Sequence, residues 1–161
     1  PKDIDLKVLT FEKKSTDELN AIYAEIPDSQ HIIICTNLKS NDELLPNTNE
    51  MSYSAFADQI FSKAQSLGKP TVHLASGLPY DSVRYASNAE VLSYNGSAFN
   101  VDAQGNPTGN YGPAIPAALD IIFNEKAPSA KLPVDVPKLN NGQFTSEIVY
   151  PFGFGLTYES P

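Results

Sequence analysis

The sequence is poor in cysteine and in positive charge, and both shortages exclude classes of protein. Cys35 is the only cysteine, which excludes an internal disulfide framework and a multi-thiolate zinc site. Eleven Lys and Arg residues stand against nineteen Asp and Glu residues, and the formal net charge is -8. Nucleic-acid binding needs clustered Lys and Arg side chains on the phosphates, so no nucleic acid is expected as a partner.

Long apolar runs are also missing. No run approaches the roughly 20 residues that a helix needs to cross a bilayer, so no membrane span is expected. The first residues, PKDIDLKVLT, are typical of a strand rather than of a signal peptide. A length of 161 residues suits one domain, and the abrupt start suggests a single domain, 1–161, of a larger protein.

Strand and helix patterns alternate along the first two thirds of the chain. DIDLKVLTF alternates Ile4, Leu6 and Val8 with polar residues, which predicts a first strand. HIIICT is continuously apolar and predicts a central strand covered on both faces, with PTVHLAS and AEVLSYN as two further buried strands. Helices are predicted at STDELNAIYAEI, where Ser15 and Glu18 have capping-box spacing, at SYSAFADQIFSKAQSLG, and at AIPAALDIIF.

This alternation predicts an α/β fold: a three-layer α/β sandwich whose mostly parallel sheet has five or six strands, with helices on both faces. AKLPVDVP carries Pro133 and Pro137, each of which removes a ladder donor, so it is expected at a sheet edge or in an extended crossing. NVDAQGNPTGNYG is expected to be a long surface loop.

Three segments in order resemble the C-terminal α/β sandwich domain of family 3 glycoside hydrolases. They are GKPTVHLASGLPYD, YGPAIPAALDIIFNEKAPSAKLPVDVP and YPFGFGLTY, and the likeness covers about residues 68–158. The resemblance implies an N-terminal (β/α)₈ barrel that carries the nucleophile of a retaining reaction. That barrel needs roughly 250 residues, so it is absent from this chain and is the expected partner of the domain.

The resemblance also bears on the branch of the family. β-Glucosidase-like members often carry the acid/base glutamate in a Gly-Glu-x-Pro-Tyr-x-Glu loop after the strand that corresponds to HIIICT. This chain has NLKSNDELLPNTNE there, without the glycine or the tyrosine. The departure favours the β-N-acetylhexosaminidase-like branch, acting on N-acetylglucosaminides, in which a barrel loop handles proton transfer. The resemblance thus implies a domain that packs beside the active site and contributes no catalytic residue. The sequence leaves the compartment open, and a secreted or cell-surface bacterial protein is suspected.

Glu43, near Asp42 and Glu50, is the one candidate for a general acid, because glycoside cleavage needs a carboxyl of raised pKa. Its alternative role is that of a solvated loop carboxylate. Ligands of open α/β sheets meet the loops after the strands, which gives a rim that contacts substrate or barrel. The rim residues are Asn37, Tyr80, Asp81, Arg84 and Asn95. Asp81 and Arg84 are expected to pair and order the turn, or else Arg84 reaches a sugar or a barrel carboxylate.

The histidines and the cysteine are expected to be structural. His73 lies within a strand and His31 just before one, so neither is expected to bind a metal, and no cofactor is expected. Cys35 is expected to be a buried, unreactive thiol. Asn95-Gly96-Ser97 matches an N-glycosylation triplet but is better explained as a tight turn.

The aromatic residues near the C-terminus predict an interface. Gly153 and Gly155 permit unusual backbone angles and close approach, and the side chains of Phe152, Phe154 and Tyr158 can fill grooves. They either form a seam against the barrel or cover the domain's own sheet. Two alternatives to a domain without catalytic residues remain open. One is a β-glucosidase-like parent that uses Glu43, and the other is a stand-alone flavodoxin-like ligand-binding module.

Overall fold

The main sheet has three parallel strands. The computed structural model describes residues 5–11, 14–44, 53–94, 99–101, 103–104, 107–111 and 114–157. Strands β1 (Ile32–Thr36), β2 (Thr71–Ala75) and β3 (Ala89–Leu92) pair in the order β1-β2-β3. The predicted parallel sheet is therefore present, with three strands rather than five or six among the described residues.

The three predicted helices form at α1 (Thr16–Glu25), α2 (Tyr53–Ser66) and α3 (Ala114–Ile122). The capping box of α1 is confirmed: the amide of Glu18 donates to Ser15 Oγ at 3.2 Å, and the amide of Ser15 donates to Glu18 Oε2 at 3.1 Å. α2 ends before Gly68, whose φ of +65° is the left-handed conformation typical of a glycine that caps a helix. The apolar periodicity of AIPAALDIIF predicts five inward-facing positions, Ile115, Ala118, Leu119, Ile122 and Phe123. Of these, only Ala118 is buried, and Phe123 is 38% exposed.

The core lies on the face of the sheet that carries Ile34 and His73, where α1 and α2 pack together. Burial of apolar side chains on this face is the main source of stability, at roughly 25 cal/mol per Å². Tyr85 stacks on Phe61 and His73 meets both rings edge-on, so the imidazole is enclosed by aromatic groups. The buried members of the cluster are Leu19, Ile22, Ile26, Ile34, Phe56, Ala57, Ile60, Phe61 and Tyr85.

The opposite face of β1 is only partly covered by the described residues. Leu74 is buried there, but Ile33 and Val72 are half-buried and Cys35 is exposed. The predictions that both faces of HIIICT are covered and that Cys35 is buried are therefore wrong for the described part of the chain. The reason is that α1 and α2 lie on the same side of the sheet.

Residues 5–10 are not a strand, so the predicted first strand is wrong in this structure. Leu6 is 61% exposed and Val8 is 74% exposed. The segment is nevertheless anchored, because Lys7 pairs with Glu25 at 2.5 Å and Phe11 stacks on Phe56. An alternating pattern becomes a strand only where a neighbour completes its ladder of hydrogen bonds.

Two antiparallel hairpins complete the described fold. β4 (Phe99–Val101) pairs with β5 (Pro107–Tyr111), within the segment predicted to be a surface loop. β6 (Val136–Asn140) pairs with β7 (Gln143–Tyr150), so Pro137 lies in an edge strand, as predicted, while Pro133 lies before β6 in a segment without strand structure. The β6–β7 turn contains Asn141 at φ 50° and Gly142 at φ 76°, the positive angles that type I′ turns require.

Candidate functional site

An open pocket lies at the carboxyl ends of the parallel strands, where ligands of α/β sheets commonly bind. Its volume is about 360 Å³. The loop after β1 and the loop after β2 form most of its wall, and the residue two places beyond β3 closes one side. The lining residues are Asn37, Leu38, Lys39, Gly77, Leu78 and Tyr94.

The two loops under this pocket are joined backbone to backbone. The amide of Leu78 donates to the Leu38 carbonyl at 2.9 Å, and the hydroxyl of Ser76 donates to the Thr36 carbonyl at 2.8 Å. A Cβ at Gly77 would stand 2.2 Å from the Leu38 oxygen, so only glycine fits there. The floor of the pocket is therefore rigid.

Tyr94 is the unusual residue of the pocket wall. Its φ of 51° lies in the left-handed region, which a bulky side chain rarely adopts, and its side chain is 41% exposed. Partial burial, and secondarily the nearby Tyr80, raises the pKa of its hydroxyl. Backbone strain of this kind collects at functional positions, which makes this wall the best candidate for ligand contact.

A buried polar chain runs beneath the sheet edge through Asp81, Thr36, His73 and Glu90. The Thr36 hydroxyl donates to Asp81 Oδ2 at 2.6 Å and accepts from His73 Nε2 at 2.6 Å. His73 Nδ1 lies 2.6 Å from Glu90 Oε2, which is a hydrogen-bonding distance. Ser87 donates to the other oxygen of Glu90. The expectation that His73 is a satisfied core histidine is confirmed.

The order hydroxyl, imidazole, carboxylate is that of a nucleophile, its base and the group that orients the base. Thr36, His73 and Asp81 are, however, fully buried, and the Thr36 proton is already committed to Asp81. A nucleophile must be reached by its substrate, so this closed chain is structural. The sequence signal that could have predicted it is a pair of polar residues, His73 and Glu90, on apolar strands.

Burial sets the acidity of the two carboxyls in the chain. Desolvation raises the pKa of Asp81, against the lowering effect of the Thr36 hydrogen bond and the His73 charge. Desolvation likewise raises the pKa of Glu90, against the hydrogen bond from His73. Asp81 Oδ1 is buried without a hydrogen-bond partner, so ionisation of this carboxyl is poorly supported.

Glu43, the candidate general acid, serves its own loop. It lies in a 3-10 turn at Asn41–Leu44, is half-buried, and its Oε2 accepts the backbone amide of Lys39 at 3.0 Å. Its backbone carbonyl accepts the Ser54 hydroxyl at 2.5 Å, which ties the turn to α2. The geometry gives this carboxylate a loop-closing role.

The predicted Asp81–Arg84 ion pair is wrong. The partner of Arg84 is Asp58 on α2, with Nη2 2.5 Å from Oδ2, while Asp81 points into the buried chain. Arg84 also donates through Nη1 to the Leu44 carbonyl at 3.0 Å. Burial raises the pKa of Asp58, and the Arg84 charge opposes that shift. The pair lines a second pocket of about 310 Å³ together with Val83, Leu139, Asn141 and Gly142.

The remaining predicted rim residues divide between the two pockets and other positions. Asn37 lines the pocket at the sheet edge. Tyr80 is half-buried and packs its ring on Phe144 of β7, with the centroids 5.3 Å apart, so it anchors the hairpin. Asp81 is interior rather than at a rim. Asn95, with the triplet that it opens, lies outside the described residues, as do Glu50 and Tyr158.

The segment near the C-terminus is fixed in its backbone and exposed in its side chains. The segment exchanges two backbone hydrogen bonds with Leu132: the Gly153 amide donates to the Leu132 carbonyl at 2.8 Å, and the Leu132 amide donates to the Phe154 carbonyl at 2.8 Å. Gly153 has φ +80°, and a Cβ at Gly155 would lie 2.8 Å from the Ala130 oxygen. The predicted needs for glycine are thus confirmed.

The aromatic and aliphatic side chains of this segment do not cover the domain's own sheet. Phe152 is 71% exposed and Leu156 is 73% exposed, while Phe154 stacks on Tyr150 and remains 39% exposed. Ile148 and Val149 of β7 add exposures of 44% and 39%. We call Ile148, Val149, Phe152, Phe154 and Leu156 the apolar strip. Exposed apolar side chains on a fixed backbone are typical of an interaction surface.

Metal ligands and membrane helices are not found in the described part of the chain. No group of three or more His, Cys, Asp or Glu side chains there has the geometry of a metal site. None of the described helices has the length and apolar character needed to cross a bilayer. A scan against protein-family models gives no match, and a search of curated proteins finds no significant relative.

Proposed function

We propose that this chain is the non-catalytic C-terminal domain of a retaining family 3 glycoside hydrolase of the β-N-acetylhexosaminidase-like branch. The domain packs beside a (β/α)₈ barrel that carries the reacting groups and binds the N-acetylglucosaminide. In the complete protein its sheet grows to the five or six strands of a three-layer sandwich. The observation that carries the proposal is the apolar strip, whose side chains are exposed on a backbone held by hydrogen bonds, as is typical of surfaces that bind a partner.

The polar side chains support a silent domain. Glu43 closes its own turn, Arg84 is engaged by Asp58, and Asp81 is sealed beneath the sheet edge. A general acid must be free to reach the leaving oxygen, and the hydrogen bonds that Glu43 and Asp81 already make within the chain favour a structural role for both. The role of the domain is therefore to shape and stabilise the barrel.

The direct test is turnover. The purified chain should not hydrolyse nitrophenyl N-acetylglucosaminide or nitrophenyl glucoside, whereas the parent enzyme should hydrolyse the first. Turnover of either compound by the chain alone would refute the silent-domain proposal. Replacement of Glu43 by Gln in the parent should leave the rate unchanged. A loss rescued by substrates with good leaving groups would instead support the β-glucosidase-like alternative.

The surface test uses the apolar strip. Phe152→Ser combined with Leu156→Ser should weaken the contact with the barrel and lower the temperature at which the parent enzyme loses activity. Phe123→Ser, at a separate apolar side chain that is 38% exposed just after α3, is the control and should lower that temperature less. Equal effects of both changes would show that the strip is not the interface.

A second candidate is a stand-alone module that binds a small ligand, and the pocket at the sheet edge favours it. Calorimetry of the chain with N-acetylglucosamine and glucose measures this directly. Binding that Tyr94→Ala abolishes would favour the module. Absence of heat with both sugars would leave the accessory-domain proposal in place.

A further inference from the structure

We propose that residues 5–10 close onto the free edge of β1 as a fourth parallel strand of the main sheet. The structure shows these residues in an open arrangement beside α1. The proposal does not depend on the proposed function. It follows from the edge of β1, from the handedness of the connections, and from the way the segment is already held.

The free edge of β1 exposes backbone amides and carbonyls that could pair with a further strand. The Ile32 amide donates to the Pro70 carbonyl at 3.0 Å, and the Thr36 carbonyl accepts the Ser76 amide at 2.8 Å, so both residues point toward β2. Because alternate residues of a parallel strand face the same neighbour, Ile33 and Cys35 direct their amides and carbonyls away from β2. In the described residues no strand pairs with them.

This edge also lacks the features that keep edge strands apart. The strand reads IIICT, with no lysine, no proline and no charged side chain. Edge strands that remain open in folded proteins are commonly short, charged, bulged or interrupted by proline. An uncharged apolar edge therefore favours occupation by another strand.

Handedness places residues 5–10 on that side of β1. Helices α1 and α2 both pack on the face that carries Ile34 and His73. Parallel crossovers are right-handed in about 98% of cases. Two right-handed crossovers whose helices lie on the same face of a sheet step across the sheet in the same direction. The crossover through α2 steps from β1 to β2, so a crossover through α1 must step to β1 from a strand on its other side. Its position is the edge opposite β2.

The segment already has the direction and the facing that this position requires. Lys7 pairs with Glu25 in the last turn of α1, and Phe11 stacks on Phe56 of α2, so the segment runs back along α1 and parallel to β1. Side chains of a strand alternate between faces. Lys7 and Phe11 face the helices, which assigns Leu6 and Val8 to the open face.

Closure would cover the part of the sheet that is now exposed. Leu6 and Val8 would join Ile33 and Cys35 on the open face and form one apolar row with the half-buried Val72. The amides of Ile33 and Cys35 would gain acceptors. Both gains come from a sideways movement of a segment that is already anchored at its two ends.

Thiol crosslinking tests the closed arrangement. Val8→Cys adds a second thiol on the side of the segment that would meet Cys35, the only native cysteine. A short thiol-reactive bifunctional reagent should join the two within a monomer. Lys7→Cys, one residue away and facing α1, is the matched control and should give at least roughly tenfold less product, because side chains of neighbouring residues leave opposite faces.

Amide exchange of the unmodified chain gives an independent readout. The Cys35 amide should exchange at least about tenfold more slowly than in an Ile33→Pro variant, which removes one outward donor and leaves the β1–β2 ladder intact. Far-ultraviolet circular dichroism checks that this variant is folded. Crosslinked dimers would indicate that a second copy occupies the edge, and no crosslink with an unprotected Cys35 amide would indicate an empty edge. Either outcome would overturn the proposal.

Discussion

At the scale of single residues, the polar groups of the interior define the structure more than the exposed candidates do. Thr36, His73 and Asp81 are fully buried, and each finds at least one hydrogen bond within the chain. A buried network costs little while it is complete and much when one member is lost. Sequence patterns identified His73 as structural but placed Asp81 at a rim. The sequence of a turn does not show which of its side chains is buried and which is exposed.

Thr36→Val should lower the free energy of unfolding by about 2 to 4 kcal/mol, since valine keeps the shape but removes the hydrogen bonds of Asp81 Oδ2 and His73 Nε2. Thr36→Ser keeps the hydroxyl and is the matched control, with a smaller loss from one missing methyl group. Urea unfolding of the three proteins measures both differences. Equal losses in the two variants would mean that packing, not the network, decides stability here.

Acidity follows from the same burial. The pKa values of Asp81, Glu90 and Asp58 are raised in the folded chain, first by desolvation in each case. A carboxyl whose pKa is higher in the folded than in the unfolded chain stabilises the fold in its protonated form. This stabilisation is complete below the unfolded pKa and is lost as the pH rises through the folded pKa. The free energy of unfolding should therefore increase as the pH is lowered from neutral toward the ordinary carboxyl pKa of about 4.

Urea unfolding at several pH values across this range measures the trend. Asp81→Asn removes one titrating group while its amide oxygen can still accept from Thr36, so the variant should show a shallower dependence. A free energy of unfolding that stays flat or falls on acidification would contradict the assignment of these carboxyls as destabilised when charged.

At the scale of elements, sequence patterns worked where a segment carries its own signals. The capping box of α1 and the apolar run of β1 are complete within a few residues, and both were predicted. The β6–β7 hairpin was only half recognised, although Asn141-Gly142 is a strong turn signal. Residues 5–10 failed for another reason, because an alternating pattern does not specify which neighbour will complete its ladder.

The backbone of the segment near the C-terminus depends on the conformation of Gly153. Gly153→Ala should destabilise the segment by about 1 to 2 kcal/mol, since φ +80° is unfavourable for any residue with a Cβ. Faster exchange of the Phe154 amide, which donates to the Pro151 carbonyl at 2.9 Å, reports the loosening. Leu156→Ala, at a side chain 73% exposed, is the control and should change stability by less than about 0.5 kcal/mol.

At the scale of the whole molecule, the chain combines a well-built core with surfaces that lack partners. One face of the main sheet is packed by two helices, while the other face, the β1 edge and the apolar strip remain partly open. Fold class and helix positions could be predicted because they depend on local periodicity. The candidate site could be predicted in its place, at the loops after the strands, and in Asn37. The positions of Asp81 and Arg84 could not, because they depend on contacts between segments far apart in the sequence.

The apolar strip should also govern behaviour in solution. Phe152→Ser combined with Leu156→Ser in the isolated chain should reduce binding of a hydrophobic fluorescent dye without changing the urea midpoint, because both side chains are mostly exposed. Fluorescence titration and urea unfolding give the two readouts. Undiminished dye binding would locate the accessible apolar surface elsewhere, with the open sheet face as the next place to probe.

Arg84 holds together three regions that are far apart along the chain. Its guanidinium grips the carbonyl of Leu44 and the carboxylate of Asp58, while its backbone amide closes the turn at Asp81. The turn that ends at Leu44, helix α2 and the turn at Asp81 are thus connected through one side chain and its backbone amide. In native-state hydrogen exchange the amides of these three segments should therefore open together as one cooperative unit, whose opening free energy depends on Arg84.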